Sequence, residues 1–399
     1  MQVIRLIRSA ILKSYQLLLG LWLTFFLTNE YSLDLYGVYS TEIAQLFIFG
    51  FILKLGFDIL VLKENSNFRL FKLIFPTYIV IMLIGVLITS ILSIWFGFSV
   101  FSILIFSVTL VLAELSRRKN STGTYILMSG GMQYTVQAIL FLSEPLINRI
   151  GVSGIVLISV SIPGGVLLII YRRVLSVGFE RVSFLHWARV KEVITESVGQ
   201  LFFNLSSVFN NWLGTFLLSL TGNMDAVAIF SAVKRITNGL SLPQQVLNIN
   251  FANPLARSLN NLNELKSLLL RQRKLFFYTS IIIAIGGVVM TKLITYIIIL
   301  DESLLPQLWT SYYILLVMVI INVLTGPTFI FTRISGGLGK KIIALNLLTI
   351  VCYGSAMLIP TTNKLLSITV ATFMSITLTN LYLLFAGYRD RGVFLHARP

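Results

Sequence analysis

A stripe of polar residues runs along the apolar segment 223–253 and is the clearest sign of chemistry in the sequence. Its members recur every three or four residues, so at roughly 100° per residue they share one face of a helix. Arg235 borders the same face, and Pro243 is expected to bend the helix in its middle. The stripe consists of Ser231, Lys234, Asn238, Ser241, Gln245 and Asn248.

Charged and amide side chains on one face of an apolar helix cannot point at lipid. A charge at the centre of a bilayer costs about 2.5 kcal/mol or more, so this face predicts a cavity of the kind that a transporter needs. Lys234 and Arg235 suit an anionic group such as a diphosphate. Asn238, Gln245 and Asn248 supply the paired donors and acceptors that sugar hydroxyls require. We predict that these five residues bind a substrate.

The composition places this stripe in a membrane protein. Of the 399 residues, 56% are hydrophobic and only 12% are charged, whereas a soluble chain is about 25% charged. The mean hydropathy is +0.88. The prediction is an all-α polytopic membrane protein with about twelve transmembrane helices, each long enough to cross a bilayer. The apolar runs lie at 10–28, 36–62, 71–95, 98–115, 123–147, 152–171, 197–220, 223–252, 273–299, 309–332, 341–360 and 364–388.

The basic residues follow the topology of these runs. The formal net charge is +16, from 31 Lys and Arg residues against 15 Asp and Glu. Most basic residues fall at the N-terminus and in alternate connections, which predicts that both termini are cytoplasmic and that no nucleic acid is bound. One basic connection, 255–274, alternates leucines with polar residues and predicts an amphipathic helix on the inner leaflet. The first run lacks a signal-peptide cleavage site and is expected to remain in the mature protein.

Two further polar stripes have two explanations each. Small and polar residues on one face can form a helix–helix contact, or they can line a cavity. Because three amides exceed what packing alone needs, Asn204 and Asn211 are predicted to bind substrate, together with Gln16. The stripes are Gln200, Asn204, Ser207, Asn211 and Gly214 in the run 197–220, and Ser9, Lys13, Gln16, Gly20 and Thr24 in the run 10–28.

Three charged residues lie in the run 36–62, namely Glu42, Lys54 and Asp58. Lys54 and Asp58 are four residues apart and can pair on one helix face, which is a purely structural explanation. The functional explanation is that Lys54 adds to the cationic substrate site, while Glu42 or Asp58 couples transport to an ion gradient.

The two halves of the chain resemble each other. Residues 22–27 resemble 212–217, and residues 34–40 resemble 225–231, at offsets of 190 and 191 residues. With six runs in each half, both halves enter the membrane in the same direction, which predicts a pseudo-twofold axis with the substrate path between them. The predicted domains are an N-terminal six-helix lobe (1–171), a basic cytoplasmic connection (172–196) and a C-terminal six-helix lobe (197–399).

The sequence offers no constellation for catalysis. His186 and His396 lie in polar segments away from any nucleophile, and no glycine-rich loop precedes a Lys and a Ser or Thr. The single cysteine, Cys352, excludes a disulfide framework and a cysteine metal site. We therefore expect no enzyme activity, no metal and no cofactor.

Short motifs distributed over the chain lie at 36–39, 55–58, 228–236, 253–256, 322–327 and 336–340. Through them, and over essentially its whole length, the chain resembles the polysaccharide flippases of the multidrug/oligosaccharidyl-lipid/polysaccharide (MOP) exporter superfamily. The resemblance implies two six-helix lobes around a central cavity that opens alternately to each side of the bacterial cytoplasmic (inner) membrane. The implied cargo is an undecaprenyl-diphosphate-linked oligosaccharide, an O-antigen or capsule repeat unit, flipped from the inner to the outer leaflet.

The resemblance also implies roles and partners. Lys234 and Arg235, with Lys54, correspond to basic interior residues of such flippases. Lys13 lies too near the predicted cytoplasmic end to replace the basic residues that peptidoglycan-precursor flippases carry in their first span. The expected partners are the lipid-linked oligosaccharide, membrane lipids, a coupling proton or sodium ion and the polysaccharide polymerase machinery. Two alternatives stay open: an ion-coupled multidrug or small-molecule exporter of the same superfamily, and a membrane polysaccharide polymerase.

Overall fold

The chain folds into two compact units, called unit 1 and unit 2 below. Unit 1 consists of Met1–Leu23 and Val38–Phe216, and unit 2 consists of Thr24–Gly37 and Leu217–Pro399. Regular secondary structure is helical in every range that the structure describes, so the predicted all-α class is confirmed. The computed structural model describes residues 2–54, 56, 85–87, 90–91, 93–94, 99–118, 122–179, 191, 195, 198, 201–202, 205–258, 262–297, 304–325, 339–360 and 363–391.

The helices of the first half include two π-helical turns, each with one residue more per turn than an α-helix. Within unit 1, the helix Glu144–Phe179 packs against the helices Val100–Arg118 and Met132–Phe141. In chain order the elements are α1 (Gln2–Phe26), the π turn Leu27–Tyr31, α2 (Leu33–Leu53), α3 (Val100–Arg118), α4 (Thr122–Ile126), the π turn Leu127–Gly131, α5 (Met132–Phe141) and α6 (Glu144–Phe179).

The second half contributes the π turn Phe209–Leu213, α7 (Gly214–Ser219), α8 (Met224–Leu240), α9 (Leu242–Ser258), α10 (Leu262–Ile297), α11 (Leu305–Leu324), α12 (Gly339–Leu358) and α13 (Lys364–Arg391). Within unit 2, α8 packs against α10, α11 and α13, and most of its residues between Ala226 and Thr237 are buried. The core of unit 2 is therefore built around α8.

Several of the described helices have the length and the apolar character that crossing a membrane requires. They agree with six of the predicted runs, and the shorter apolar helices Val100–Glu114 and Ile342–Leu358 agree with two more. The predicted run 71–95 lies mostly outside the described residues. The candidate spans are Ala10–Tyr31, Leu33–Leu53, Glu144–Arg172, Asn263–Thr291, Leu305–Leu324 and Lys364–Phe385.

The predicted repeat is visible where α2 and α8 begin, 191 residues apart at Leu33 and Met224. Ser32 precedes α2, and its Oγ accepts a hydrogen bond from the N–H of Leu35 (3.0 Å). Asn223 precedes α8, and its Oδ1 accepts from the N–H of Ala226 (2.9 Å). Both helices also carry an aspartate in the first turn. At equivalent positions in the two halves, a helix thus begins with the same two features, a side-chain N-cap and an aspartate in the first turn.

A π turn displaces the polar stripe predicted for 197–220. Asn211 lies inside the turn Phe209–Leu213 and donates its Nδ2 to the carbonyl oxygen of Ser207 (2.9 Å). The extra residue in this turn shifts Gly214 away from the face that 3.6 residues per turn would give it. The prediction of one continuous face is therefore wrong from this turn onward.

The segment 223–252 forms two helices, α8 and α9, which meet at Ser241. The N–H of Ser241 donates to the carbonyl oxygen of Thr237 (3.2 Å) and closes α8. Pro243 lies in the first turn of α9, where the missing N–H of proline removes no helical hydrogen bond. The predicted interruption at Pro243 is confirmed, and the polar stripe is divided between the two helices.

The connection 255–274 belongs to two longer helices and does not form one helix of its own, while its predicted position on the inner leaflet stays a prediction. Helix α9 continues to Ser258, and α10 runs for 36 residues from Leu262 into the predicted ninth span. Two leucines of this stretch, Leu265 and Leu269, are buried inside unit 2, whereas Leu270 is 40% exposed. The alternation of leucine with basic residues thus marks a helix that packs on protein.

Replacing Gly37 with alanine should destabilise the protein by about 1–3 kcal/mol, the usual cost of overpacking. A Cβ atom at Gly37 on α2 would overlap the backbone carbonyl oxygen of Met224 at the start of α8. Backbone cannot rotate away, so the two helices would have to separate. Thermal unfolding of the purified protein in detergent measures the loss.

Gly354→Ala is the matched control within α12 of the same unit. No atom of the described residues lies within 4 Å of a Cβ placed at Gly354, and alanine is about 1 kcal/mol better than glycine inside a helix. This variant should keep or raise the Tm, and an equal loss from both substitutions would contradict the close approach at Gly37.

Candidate functional site

Lys234 is buried in the core of unit 2. Its side chain is only 4% exposed, and its neighbours Ala232, Val233 and Ile236 on α8 are buried as well. A helix that pointed this ammonium group at lipid would incur the cost of an unshielded charge. The structure places Lys234 inside protein, as the polar stripe predicts.

Arg235 joins α8 to the segment Thr24–Gly37, which also belongs to unit 2. Its Nη1 donates to Thr24 Oγ1 (3.2 Å), and the same oxygen lies 3.1 Å from the hydroxyl of Tyr36. The guanidinium carbon is 5.9 Å from the centroid of the Tyr36 ring, within the range of a cation–π interaction. Thr24 and Tyr36 are fully buried, so protein groups hold the guanidinium in a fixed position.

The rest of the stripe continues across the junction of α8 and α9. Gln245 Nε2 donates to Ser241 Oγ (3.1 Å), and Ser241 Oγ donates to the carbonyl oxygen of Asn238 (2.7 Å). Asn238 and Asn248 are half-buried, whereas Gln245 is exposed. The Oδ1 atom of Asn248 is buried and has no hydrogen-bond partner among the described residues. Gln245 therefore lies at the surface of unit 2, whereas the amides of Asn238 and Asn248 are partly covered.

Glu42 lies in unit 1 and contacts α6. The Oγ of Ser153 donates a hydrogen bond of 2.5 Å to Glu42 Oε1. Two residues before Ser153, Gly151 interrupts α6 with a φ of 67°, a left-handed conformation that glycine adopts without steric cost. This interruption brings the start of a continuous helix, whose end favours negative charge, towards the carboxyl group of Glu42.

A buried hydrogen-bond chain supports the same region of unit 1. Tyr39, one turn before Glu42, donates its hydroxyl to Gln137 Oε1 on α5 (2.9 Å). Gln137 Nε2 then donates to Ser159 Oγ on α6 (3.1 Å), and Ser159 donates to the carbonyl oxygen of Val156 (2.7 Å). Because the side chains of Tyr39, Gln137 and Ser159 are all fully buried, this network fixes α2 against α5 and α6.

The other predicted site residues of unit 1 do not form one cluster in the described part of the chain. Lys54 directly follows α2, with its side chain 3% exposed and its Nζ 3.5 Å from the centroid of the Phe51 ring. Gln16 lies against Gly130, where a Cβ would overlap its Nε2. Asn204 and Asp58 lie outside the described residues, and so does the predicted pairing of Lys54 with Asp58.

A polar junction around Asn322 in unit 2 was not predicted from the sequence. The carbonyl oxygen of Asn322 accepts from Gln244 Nε2 (3.3 Å) and from Thr325 Oγ1 (2.8 Å), while its Oδ1 accepts from Asn380 Nδ2 (2.8 Å). The first two bonds satisfy the backbone carbonyl of Asn322 at the C-terminal end of α11, where carbonyl groups have no partner within the helix. The junction ties α9, α11 and α13 together beside the stripe.

Each unit thus offers groups that can bind through charge and hydrogen bonds. Cationic groups lie in both units, at Lys54 and at Lys234 with Arg235, and a carboxyl group lies in unit 1 at Glu42. Within the described ranges, no group of three His, Cys, Asp or Glu side chains is close enough to hold a metal ion.

Comparison with known proteins identifies the fold. No family model matches the chain, and no curated protein sequence matches it. Solved structures do match: the MATE multidrug transporter DinF-BH has a TM-score of 0.63 at 14% identity, over 98% of this chain and 95% of its own. An inward-facing multidrug resistance MATE family transporter of the MOP superfamily matches at 0.60 and 14%, over 96% of each chain. The Vibrio cholerae MATE transporter VcmN matches at 0.55 and 12%, over 98% of each.

These structures share the fold of this chain over nearly its whole length. The chain is therefore a multi-pass membrane protein with the fold of the MATE transporters of the MOP superfamily.

Proposed function

We propose that the chain is an exporter that moves a small anionic molecule across the membrane by alternating access, driven by a proton or sodium gradient. The observation that carries this proposal is the fold, which it shares over 96–98% of its length with transporters described as multidrug transporters. The proposal includes a position in the bacterial inner membrane with both termini in the cytoplasm. We also propose that the substrate is transported without being chemically converted.

The charge of the substrate is proposed from the buried side chains. Lys54 and Lys234 are almost fully buried, and Arg235 is half-buried. These three cations are opposed by the half-buried carboxyl group of Glu42, for which we propose the separate role of coupling to the ion, and by that of Glu114 on α3, which is 5% exposed. A low-dielectric interior strengthens the attraction of such cations for an anionic group. The amides of Asn238, Gln245 and Asn248 are proposed to bind the polar remainder of the substrate, together with Asn211 and Gln16.

Transport by the purified full-length protein in proteoliposomes tests the proposal. Methylumbelliferyl sulfate serves as the anionic probe and ethidium as the cationic one, with a proton or sodium gradient imposed across the membrane. We expect accumulation of the sulfate and little of ethidium. Accumulation of ethidium alone would reverse the proposed charge preference, and accumulation of neither would count against a small-molecule exporter.

A second candidate is the flipping of an undecaprenyl-diphosphate-linked oligosaccharide, an O-antigen or capsule repeat unit. The observation that favours it is the combination of the buried Lys234, the fixed guanidinium of Arg235 and the adjoining row of amides and hydroxyls. These are the groups that a diphosphate followed by sugars needs. In this case the partners would be the lipid-linked oligosaccharide, membrane lipids and the polysaccharide polymerase machinery.

Deletion of the gene in the native host separates the two candidates. Loss of surface polysaccharide, with intact repeat units trapped on the inner leaflet, would favour the flippase. Normal polysaccharide with altered sensitivity to toxic compounds would favour the small-molecule exporter. Single repeat units that reach the outer leaflet without being lengthened would point to a polymerase.

A further inference from the structure

Gln272 carries a buried side-chain amide. It lies on α10 and is fully buried. Neither its Nε2 nor its Oε1 has a hydrogen-bond partner among the described residues. Buried side-chain amides are nearly always bonded, because an amide without a partner loses its hydration and receives nothing in return. A wholly unsatisfied glutamine inside a membrane protein therefore calls for a physical explanation.

A second unsatisfied group lies at the same level of the neighbouring helix. The Oδ1 of Asn248 on α9 is buried and also lacks a partner in the described part of the chain. Helices α9 and α10 pack against each other and are joined between Ser258 and Leu262, so they form an antiparallel hairpin. Asn248 and Gln272 are each ten residues from that connection, which places both about 15 Å along the hairpin.

Another contact supports this pairing of the helices. A Cβ placed at Gly286, further along α10, would lie 3.9 Å from Leu240 Cδ2 at the end of α8. Leu240 lies well before the connection between α9 and α10, and Gly286 lies well after it. Their closeness is what an antiparallel arrangement requires. The unsatisfied groups of Asn248 and Gln272 therefore belong to one region of the hairpin.

The absence of partners at Gln272 is not a general property of this hairpin. Gln244, one turn before Asn248 on the same helix, is equally a buried amide, and its Nε2 donates to the carbonyl oxygen of Asn322 (3.3 Å). Asn380 on α13 donates to the side chain of the same Asn322 (2.8 Å). Described residues thus supply partners to these two amides, whereas none of them bonds to the side chain of Gln272.

We propose that Gln272 and Asn248 form a subsite that binds a neutral hydroxyl- or amide-bearing group of the substrate when the α9–α10 hairpin opens. This assignment rests on the proposed export of an anionic molecule and extends it to the substrate's uncharged part. Gln272 Nε2 donates, while Gln272 Oε1 and Asn248 Oδ1 accept, so the subsite fits a group that both donates and accepts.

The test compares two probes that share one fluorescent group. Methylumbelliferyl glucuronide is anionic and carries sugar hydroxyls, whereas methylumbelliferyl sulfate is anionic and carries none. In proteoliposomes, Gln272→Leu should lower glucuronide transport about tenfold, the loss expected for one hydrogen bond, and leave sulfate transport unchanged. Asn248→Leu should shift the ratio of the two probes in the same direction.

The thermal stability of the same variants separates a binding role from a structural one. Leucine at position 272 removes an unsatisfied buried amide, so the Tm should be unchanged or rise by about 2 °C. Gln244→Leu, which removes a satisfied amide, should lower the Tm and serves as the matched control. If leucine at position 272 disturbs folding, Gln272→Met is the less perturbing replacement, with the same two readouts expected.

Two results would overturn the subsite. One is unchanged glucuronide transport by Gln272→Leu and Gln272→Met, and the other is a lowered Tm in both, which would mean that the amide is bonded within the fold. The proposed function is tested by a separate result. It predicts that the wild-type protein transports the sulfate, and this prediction does not depend on the variants at position 272.

Discussion

Replacing Lys234 with methionine should lower the export of an anionic substrate about 10- to 150-fold. A hydrogen bond to a charged group contributes about 1.5–3 kcal/mol, and each 1.4 kcal/mol corresponds to a factor of about ten. Methionine keeps the length and apolar stem of lysine and fits the buried position on α8, where Lys234 is 4% exposed. Initial rates of methylumbelliferyl sulfate transport in proteoliposomes, corrected for the amount of protein, measure the effect.

Lys274→Met is the matched control for Lys234→Met. It removes the same charge from an exposed position on α10 of the same unit, and its transport rate should stay within about twofold of wild type, since exposed charges contribute little. Full transport by Lys234→Met at normal protein levels would exclude a role for this ammonium group. Equal losses in both variants would assign the effect to net charge and not to the buried site.

The wider arrangement around Lys234 was only partly predictable from sequence. The stripe correctly placed Ser231 and Lys234 inside the protein, but α8 is buried on all sides there, and Gln245 of the same stripe is exposed. The proline gave the correct interruption between α8 and α9. The partner of Arg235 could not be found in this way, because Thr24 is 211 positions away in the chain. A pattern within one helix carries no information about which distant segment packs on it.

The π turn at Phe209–Leu213 shows a second reason for failure. Helical-wheel reasoning assumes a constant 3.6 residues per turn, and no residue type in this turn marks the extra residue. The predicted face was therefore wrong from that point, although the assignment of a helix was correct.

Gln272 was missed for a different reason. It stands between Arg271 and Arg273 and before Lys274, and such a basic stretch next to an apolar run is typical of a cytoplasmic connection. In the structure the three basic side chains are exposed and Gln272 is buried on the opposite side of the same helix. The basic residues indicated the membrane topology of the chain. The burial of Gln272 among them depends on how α9 and α10 pack, which the charge pattern does not show.

Replacing Glu42 with glutamine should abolish gradient-driven accumulation, down to the level of liposomes without protein. Glutamine has the size of glutamate, and its amide oxygen can still accept the hydrogen bond from Ser153 Oγ. It cannot exchange a proton in the physiological pH range or offer a full negative charge to sodium. Substrate exchange without a gradient needs no coupling ion and should therefore stay within about threefold of wild type, the change expected when about 0.6 kcal/mol is lost.

Two further variants identify the cause of such a loss. Ser153→Ala removes the donor that positions the carboxyl group, so it should reduce accumulation about tenfold without abolishing it, as the loss of one hydrogen bond to a charged group predicts. Glu144→Gln removes an exposed carboxylate from the first turn of α6 and should accumulate substrate normally. Accumulation by Glu42→Gln at the wild-type level would place the coupling ion elsewhere. Loss of exchange together with accumulation would mean that Glu42 supports the fold or binds the substrate, and its assignment to coupling would then be wrong.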